Sequence, residues 1–186
     1  MGGGFVSGGV RRAVVGDAAA LVRLRGLMLE AMGMTVGGED AGWRAVAEAW
    51  FAERLRDKAN FVAYVVEDAE LGVVSSAVGA CERRAPGPVN PAGVHGHVSN
   101  ISTDPRRRRR GHARACLDAV LGWFREETEV RVIDLNATGD GIELYRSVGF
   151  DAPRFPALQL RIREMTTASG RATDADRPGG GRSLWA

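Results

Sequence analysis

Residues 98–114 read VSNISTDPRRRRRGHAR and join two kinds of secondary structure. Side chains alternate between two faces up to Thr103, which predicts a strand. Beyond Gly111 the apolar residues recur at helical spacing. They are Ala113, Leu117, Val120, Leu121 and Phe124. The stretch therefore predicts a strand, a turn of five arginines and the N-terminus of a helix.

The turn between this strand and this helix is suited to binding an anion. A helix start has backbone N–H groups without partners and the positive end of the helix dipole, so it attracts phosphate. Gly111 has no side chain, and a bulky phosphate can approach its backbone. Arg106 to Arg110 add positive charge and paired N–H donors. These features predict a pyrophosphate site.

The composition is that of one globular domain. The chain has 186 residues, 45% of them hydrophobic, and a net charge of +2 that does not call for a nucleic-acid partner. We expect disorder in residues 1–9, a single domain over 10–165 and a disordered Gly/Arg-rich tail over 166–186. Lys58 is the one lysine among 25 basic residues, and this bias indicates a GC-rich, bacterial genome.

Other patterns are missing from the sequence. Cys81 and Cys116 lie far apart, outside any Cys/His cluster, so we predict reduced thiols and no metal site. No apolar run approaches the roughly 20 residues of a membrane span, and the glycine-rich start lacks the apolar core of a secretion signal. We therefore expect a cytoplasmic protein that does not act on membranes.

The order of predicted elements indicates an α/β fold with a mixed sheet. Two strands joined by a helical crossover should lie parallel. Gly149 stands where a left-handed helix cap is expected, followed by the apolar Phe150. The predicted elements are a strand at 10–15, two helices, strands at 60–67, 71–83 and 95–103, a helix from 111 to about 128, a strand at 131–136, a helix at 138–148 and a final strand at 155–163.

Two short patterns resemble known signatures. Arg108-x-x-Gly111-x-Ala113 is similar to the acyl-CoA-binding motif R/Q-x-x-G-x-G/A of the GNAT superfamily of N-acetyltransferases. The run LYRSVGF at 144–150 resembles the second common signature of that superfamily. The resemblance implies a mostly antiparallel central sheet, a splayed pair of parallel strands, flanking helices and the use of acetyl-CoA.

The resemblance also implies which groups hold the cofactor. The pyrophosphate would bind the Arg108 side chain and the backbone N–H groups of the following turn. The pantetheine arm would pair with the backbone of Ile101 and Thr103 and pass between the two parallel strands, where Asn136 can reach it. The backbone donors are those of Arg109, Gly111, His112, Ala113 and Arg114. Arg106, Arg107 and Arg110 either form a solvated basic patch or contact the adenosine 3′-phosphate.

Tyr145 is the candidate general acid, because it stands where similar proteins carry a tyrosine near the CoA sulfur. A phenol, with an ordinary pKa near 10, can protonate a leaving thiolate. The alternative is a packed tyrosine whose hydroxyl bonds to a backbone group. Glu30, Met32, Met34 and Trp43 are candidates for shaping the acceptor pocket, although simple core packing also explains the apolar ones.

The sequence offers several candidates for the general base. Similar proteins often have a glutamate on the strand before the CoA motif, but residues 95–100 contain no carboxylate. Strand alternation places His97 on the face of Ile101 and Thr103, and a neutral imidazole can accept a proton there. A histidine bonded for structural reasons is the alternative. Glu82, Glu30 or a chain of water molecules remain open as the base.

The sequence thus predicts a cytoplasmic acyltransferase that moves an acetyl group from acetyl-CoA to a primary amine of a small molecule or a peptide. A CoA-binding regulator without catalysis is one alternative, since the strand glutamate is missing. A polyanion or nucleic-acid binder using Arg106 to Arg110 is another, although no aromatic residues interleave with that run. The acceptor, the acyl chain length and the oligomeric state stay open, and homodimers are common among similar proteins.

Overall fold

The structure is a computed structural model that describes residues 9–160. Five strands in the order β1-β2-β3-β4-β5 form one sheet. The chain divides into two compact units, residues 1–151 and 152–186. The elements are β1 (Val10–Arg12), α1 (Ala18–Ala31), α2 (Gly42–Arg54), β2 (Phe61–Asp68), β3 (Gly72–Arg83), β4 (Val94–Thr103), α3 (His112–Glu127), β5 (Val132–Leu135) and α4 (Ile142–Ser147).

The sheet is mixed, as predicted. Strands β1 to β4 pair antiparallel with their neighbours. β4 pairs parallel with β5 across the crossover helix α3. The predicted α/β class, with a mostly antiparallel sheet and one parallel pair, is confirmed. Within the ranges that the structure covers, no helix has the length and apolarity needed to cross a membrane.

Helices cover both faces of the sheet and enclose two cores. Leu21 and Leu24 of α1 and Phe51 of α2 pack on one face, against Phe61 and Val78 of the sheet. The opposite core lies under α3. Its largest fully buried side chains are Trp123, Phe124, Leu117, Val120, Val66, Val74 and Val98. Apolar residues of α3 recur at helical spacing, and this one-sided stripe is what a helix buries against a sheet.

Two glycines let α3 lie close to the sheet. A Cβ atom on Gly79 would lie 2.8 Å from Val120 and 3.2 Å from the ring of Phe124. A Cβ atom on Gly96 would lie 2.9 Å from the same ring. Real Cβ atoms do not approach other atoms so closely, so these two positions leave no space for a side chain.

The predicted final strand at 155–163 is wrong over its described part. Residues 155–160 adopt no strand, and Phe155, Leu158 and Leu160 are exposed. Alternating apolar residues become a strand only where a neighbouring strand accepts their hydrogen bonds and a core accepts their side chains. Neither forms over 155–160. Residues 161–163 lie outside the described residues, as do 1–8 and 166–186, for which disorder was predicted.

Candidate active site

The parallel pairing between β4 and β5 stops halfway along β4. His95 to Val98 pair with Val132 to Leu135, and Val98 opposite Leu135 is the last pair. β3 continues to pair with the other edge of β4 as far as Thr103, opposite Ser75. One edge of residues 99–103 therefore has no partner strand in the part of the chain that the structure describes. Asn136, directly after β5, is exposed at this opening.

A β-bulge lies in this half of β4. Val78 pairs with Ser99 and Ser76 with Ser102, so two residues of β4, Asn100 and Ile101, stand against one of β3. Asn100 has a φ of +50°. Its side-chain oxygen accepts a hydrogen bond from Arg25 Nη1 at 2.6 Å, and its carbonyl accepts one from Ser76 Oγ at 3.1 Å. These bonds hold asparagine in a left-handed conformation that it tolerates better than most residues.

The bulge changes which face each side chain of β4 occupies. His97 lies opposite Ala80, which packs against the core under α1 and α2. Ile101 packs against the core under α3. Thr103 Oγ1 lies 2.8 Å from the hydroxyl of Ser75, its cross-strand partner. The prediction that these three side chains share a face is wrong, because one extra residue reverses the alternation beyond it.

The turn before α3 presents a row of backbone donors. Arg109 has a φ of +61° and Gly111 a φ of +79°. Among the described residues, none accepts a hydrogen bond from the N–H groups of Arg109 to Arg114. The space where a Cβ of Gly111 would stand is open to 4 Å. Successive N–H groups in such a turn form a concave anion site, so the turn fits a pyrophosphate.

The first two arginines of the turn are used by the fold. Arg106 binds the carboxylate of Asp104 at 2.8 Å, and Asp104, only 2% exposed, also binds Arg23 at 3.0 Å. The hydrogen bonds from Arg106 hold the pKa of Asp104 well below its ordinary range. Arg107 binds Asp68 at 2.6 Å and lowers the pKa of that carboxyl to about 2.

The solvated-patch interpretation is therefore wrong for Arg107, whose side chain is 16% exposed, whereas the Arg106 side chain pairs with Asp104 and is still 61% exposed. Arg108, the first position of the motif, has one weak bond, from Nε to the Thr103 carbonyl at 3.4 Å. Within residues 9–160, the side chains of Arg109 and Arg110 pair with no carboxylate. Of the five arginines in the turn, those at 108–110 therefore have charges that no described carboxylate neutralises, and these charges can attract an anionic ligand.

The first turn of α3 also joins the next helix. His112, half-buried, and Ala113 open α3. The Arg114 side chain binds Asp118 at 2.8 Å and donates to Ser147 Oγ of α4 at 3.0 Å. Arg114 can thus offer a ligand its backbone N–H while its side chain positions α4.

Tyr145 lies near the C-terminal end of α4, where backbone hydrogen bonds form a helix cap. The Phe150 N–H donates to the Tyr145 carbonyl at 3.1 Å, and the Gly149 N–H donates to the Arg146 carbonyl at 3.0 Å. Gly149 has a φ of +99°, so the predicted left-handed cap is confirmed. The rings of Phe150 and Tyr145 meet edge to face with centroids 6.4 Å apart.

The side chain of Tyr145 is buried, but its hydroxyl bonds to no other described residue. Burial raises the pKa of Tyr145 above 10.0 and keeps the phenol protonated. The ring belongs to the core that contains Val98, and Ile101 and Leu135 pack against that core. The alternative of a tyrosine hydroxyl bonded to the backbone is not what the structure shows.

Of the two base candidates on the sheet, His97 and Glu82, His97 is the one whose side chain has no hydrogen-bond or ion-pair partner among the described residues. It is half-buried. Asp134 of β5 stands opposite it in register. The carboxylate of Glu82 accepts a hydrogen bond from Arg84 at 3.3 Å. Glu30 is exposed near the end of α1.

A pocket of about 700 Å³ lies on the same side of the sheet as His97. Its floor is formed by Ser99 and Asn100, the residues that follow the last β4–β5 pair. Of the four residues considered for an acceptor pocket, Trp43 lines this one, whereas Glu30, Met32 and Met34 are exposed outside its lining. Its wall on α2 is formed by Trp43, Val46, Ala47, Trp50 and Phe51.

Arg25 completes this pocket, and sequence reasoning missed it. A signal was present, because Arg25 stands four residues after Leu21 and three before Met28, at the margin of the apolar face of α1. Asn100 was missed as well, since nothing in an alternating strand marks the site of a bulge. No three His, Cys, Asp or Glu side chains within 9–160 are grouped to hold a metal ion.

Comparison with known proteins agrees with this geometry. The profile of the Acetyltransferase (GNAT) family matches residues 29–150, well over half of the chain. The chain belongs to the GNAT acetyltransferase family. No curated protein sequence matches it.

Solved structures share the fold. A predicted acetyltransferase from Clostridium acetobutylicum, crystallised with acetyl-CoA, is 24% identical, with a TM-score of 0.68 over 81% of this chain and 94% of that one. A GCN5-related N-acetyltransferase from Ralstonia eutropha JMP134 is 22% identical, with a TM-score of 0.65 over 81% and 97%. Glucosamine-6-phosphate N-acetyltransferase from Arabidopsis thaliana is 15% identical, with a TM-score of 0.63 over 83% and 97%.

Proposed function

We propose that this GNAT protein is an N-acetyltransferase that moves an acetyl group from acetyl-CoA to a primary amine of a small molecule or peptide by direct attack. One observation carries the proposal. The N–H groups of residues 109–114 have no acceptor among the described residues, and they follow the half of β4 whose edge β5 leaves unpaired. An anionic group and an extended polar arm are what such a pair of surfaces binds.

The residues present fit CoA. The N–H groups of Arg109, Gly111, His112, Ala113 and Arg114 would hold the pyrophosphate, together with the side chain of Arg108. The free edge at Ile101 and Thr103 would pair with the amides of the pantetheine arm, within reach of Asn136. Acetyl-CoA, when bound, supplies a thioester whose acetyl group can be transferred.

Two residues handle the protons of the reaction. The C–S bond of the thioester breaks as the C–N bond forms, the attacking amine loses a proton and the departing sulfur gains one. His97 accepts the proton from the amine, directly or through water, and Tyr145 donates its phenol proton to the sulfur. Burial raises the pKa of Tyr145, so its proton is present at neutral pH.

The two faces of β4 support this division of roles. His97 lies on the face of the pocket and Ile101 on the face of α3. The amine would thus approach from one side of the sheet, while Tyr145 belongs to the core on the other side. The pairing of Arg106 and Arg107 with carboxylates leaves fewer free charges for a polyanion, which disfavours the nucleic-acid alternative.

Calorimetry with acetyl-CoA tests the cofactor site. We expect binding by the wild type and a loss of about tenfold or more in Gly111→Val, because a β-branched side chain is strained at a φ of +79° and fills the anion turn. Gly122→Ala, on the same helix with open space around it, is the control and should bind as the wild type. Wild-type protein that does not bind acetyl-CoA would refute the proposal.

A further inference from the structure

The pocket over Ser99 and Asn100 contains a positive charge, that of Arg25, which no carboxylate of the described residues neutralises. Arg25 Nη1 donates to the neutral side-chain oxygen of Asn100 at 2.6 Å. Within the described ranges, Arg25 pairs with no carboxylate, whereas Arg23, two residues earlier, binds Asp104. Asn100 is 9% exposed, and its backbone is held by the bulge, so it fixes the guanidinium without removing the charge. A fixed guanidinium with unused N–H donors is suited to a carboxylate.

The rest of the pocket is apolar and aromatic. Trp50 is 46% exposed and Val46 is 71% exposed, although both are large apolar side chains. Trp50 stacks edge to face on Phe51 and Phe61, with centroids 5.1 and 5.6 Å apart, and these contacts fix its ring. The indole N–H of Trp43 donates to the Val36 carbonyl at 2.7 Å, so this ring is fixed as well. A rigid aromatic wall binds an apolar group at small entropic cost.

The position of the charge limits where the amine of an acceptor can lie. Arg25 touches Asn100, which directly follows Ser99 on the pocket floor. Ser99 is the first residue of β4 beyond the pairing with β5. In an α-amino acid a single carbon atom separates the carboxylate from the amine. A carboxylate on Arg25 therefore places the amine of such a molecule beside the opening between β4 and β5.

We propose that the acceptor is a free α-amino acid with an aromatic or branched apolar side chain. Arg25 binds its carboxylate, and Trp43, Val46 and Trp50 bind its side chain. Its amine then receives the acetyl group as the thioester carbon–sulfur bond breaks, and the amine proton is lost. This proposal rests on the proposed function and adds a substrate class to it.

The first test compares acceptors on the wild type by the release of free CoA thiol. L-phenylalanine and L-tryptophan should exceed phenethylamine, which lacks the carboxylate, and L-alanine, which lacks the apolar group, by roughly tenfold or more in kcat/KM. Spermidine should be a poor acceptor because Arg25 repels cations. Equal rates with L-phenylalanine and phenethylamine would overturn the proposal. This comparison needs no variant, so it is decisive even if an Arg25 variant fails to fold.

The second test uses variants. Arg25→Gln keeps an N–H donor for Asn100 but loses the charge, so KM for L-phenylalanine should rise about tenfold, whereas KM for phenethylamine, a cation that Arg25 no longer repels, should not rise. Arg25→Lys should recover part of the loss. Val46→Glu should also raise KM for L-phenylalanine, whereas Val89→Glu, on an exposed loop residue, should not. If Arg25→Gln affects both acceptors equally, Arg25 has no role in recognising the carboxylate.

The outcomes also separate this proposal from the proposed function. Normal acetyl-CoA binding without turnover on any of these amines would refute the amino-acid acceptor and leave the CoA site intact. Absence of acetyl-CoA binding would refute the proposed function itself. Turnover of all amines alike would support an N-acetyltransferase of a different acceptor class.

Discussion

Gly141 lies directly against Tyr145. A Cβ atom on Gly141 would come within 2.7 Å of the tyrosine ring and 2.9 Å of its hydroxyl oxygen. Distances this short cannot persist, so any side chain at 141 must displace the phenol. The phenol of Tyr145 can therefore occupy its present position only because residue 141 has no side chain.

Gly141→Ala should consequently lower kcat while acetyl-CoA affinity stays near that of the wild type. The matched control is Gly139→Ala in the same short turn, where a Cβ would meet nothing within 4 Å. We expect Gly139→Ala to retain full turnover. Steady-state kinetics and calorimetry on both variants measure the difference, and equal turnover of the two would show that the position of the phenol does not matter.

Tyr145→Phe should lower kcat by roughly 10²-fold, the lower end of the effect of a positioned acid. The hydroxyl bonds to no described residue, so its loss leaves no unpaired partner and stability should change little. Thermal unfolding should confirm that the variant is folded. Wild-type turnover in this variant would remove Tyr145 from the acid role.

His97→Gln should flatten the acidic limb of the profile of kcat/KM against pH. A base acts only when it is unprotonated, so activity that depends on it falls at acidic pH. Glu82→Gln serves as the comparison, because that carboxylate is held by Arg84. An acidic limb that is lost in Glu82→Gln and kept in His97→Gln would assign the base to Glu82.

Asp104 should make stability depend on acid pH. Its pKa in the folded state is below the ordinary value near 4, so its contribution is complete above about pH 4 and disappears as the pH falls toward the folded-state value. Asp104→Asn should therefore be less stable at neutral pH and lose less on acidification. Urea unfolding at several pH values measures this. Asp140→Asn, at an exposed position, should follow the wild type.

Gly96→Ala should destabilise the fold by roughly 1–3 kcal/mol, the usual cost of overpacking a core. Its Cβ would lie 2.9 Å from the Phe124 ring and 3.0 Å from Val130. Gly122→Ala on α3 meets no atom within 4 Å and should instead stabilise by roughly 0.5–1 kcal/mol through helix propensity. Chemical denaturation measures the change in the free energy of unfolding of each variant. A stabilised Gly96→Ala would contradict the close approach of α3 to the sheet.

The sequence was most informative where local patterns determine structure. The strand, turn and helix across 98–114 and the cap at Gly149 follow from alternation, helical spacing and the backbone freedom of glycine. These are properties of neighbouring residues, so a single sequence contains them. The parallel pairing of β4 with β5 followed from the crossover helix between them.

Contacts between distant residues were not predictable in the same way. Arg25 meets Asn100 across 75 positions, and Arg107 meets Asp68 across 39. No spacing rule relates such pairs, so the solvated-patch interpretation of Arg107 was wrong. The strand predicted at 155–163 was wrong over residues 155–160, because alternation does not show whether a partner strand is available.

The bulge at Asn100 reverses the alternation of side chains along β4. Up to Ser99, odd-numbered residues lie on the face of the sheet covered by α1 and α2; from Ile101 onward, odd-numbered residues lie on the face covered by α3. A single strand can thereby serve an acceptor on one side of the sheet and a cofactor on the other. Deleting one residue between 99 and 101 would leave composition and charge almost unchanged, yet it would exchange the faces of every later side chain in the strand. Whether residues 101–103 lie on the pocket side or the α3 side of the sheet thus depends on the number of residues before them more than on their chemical identity.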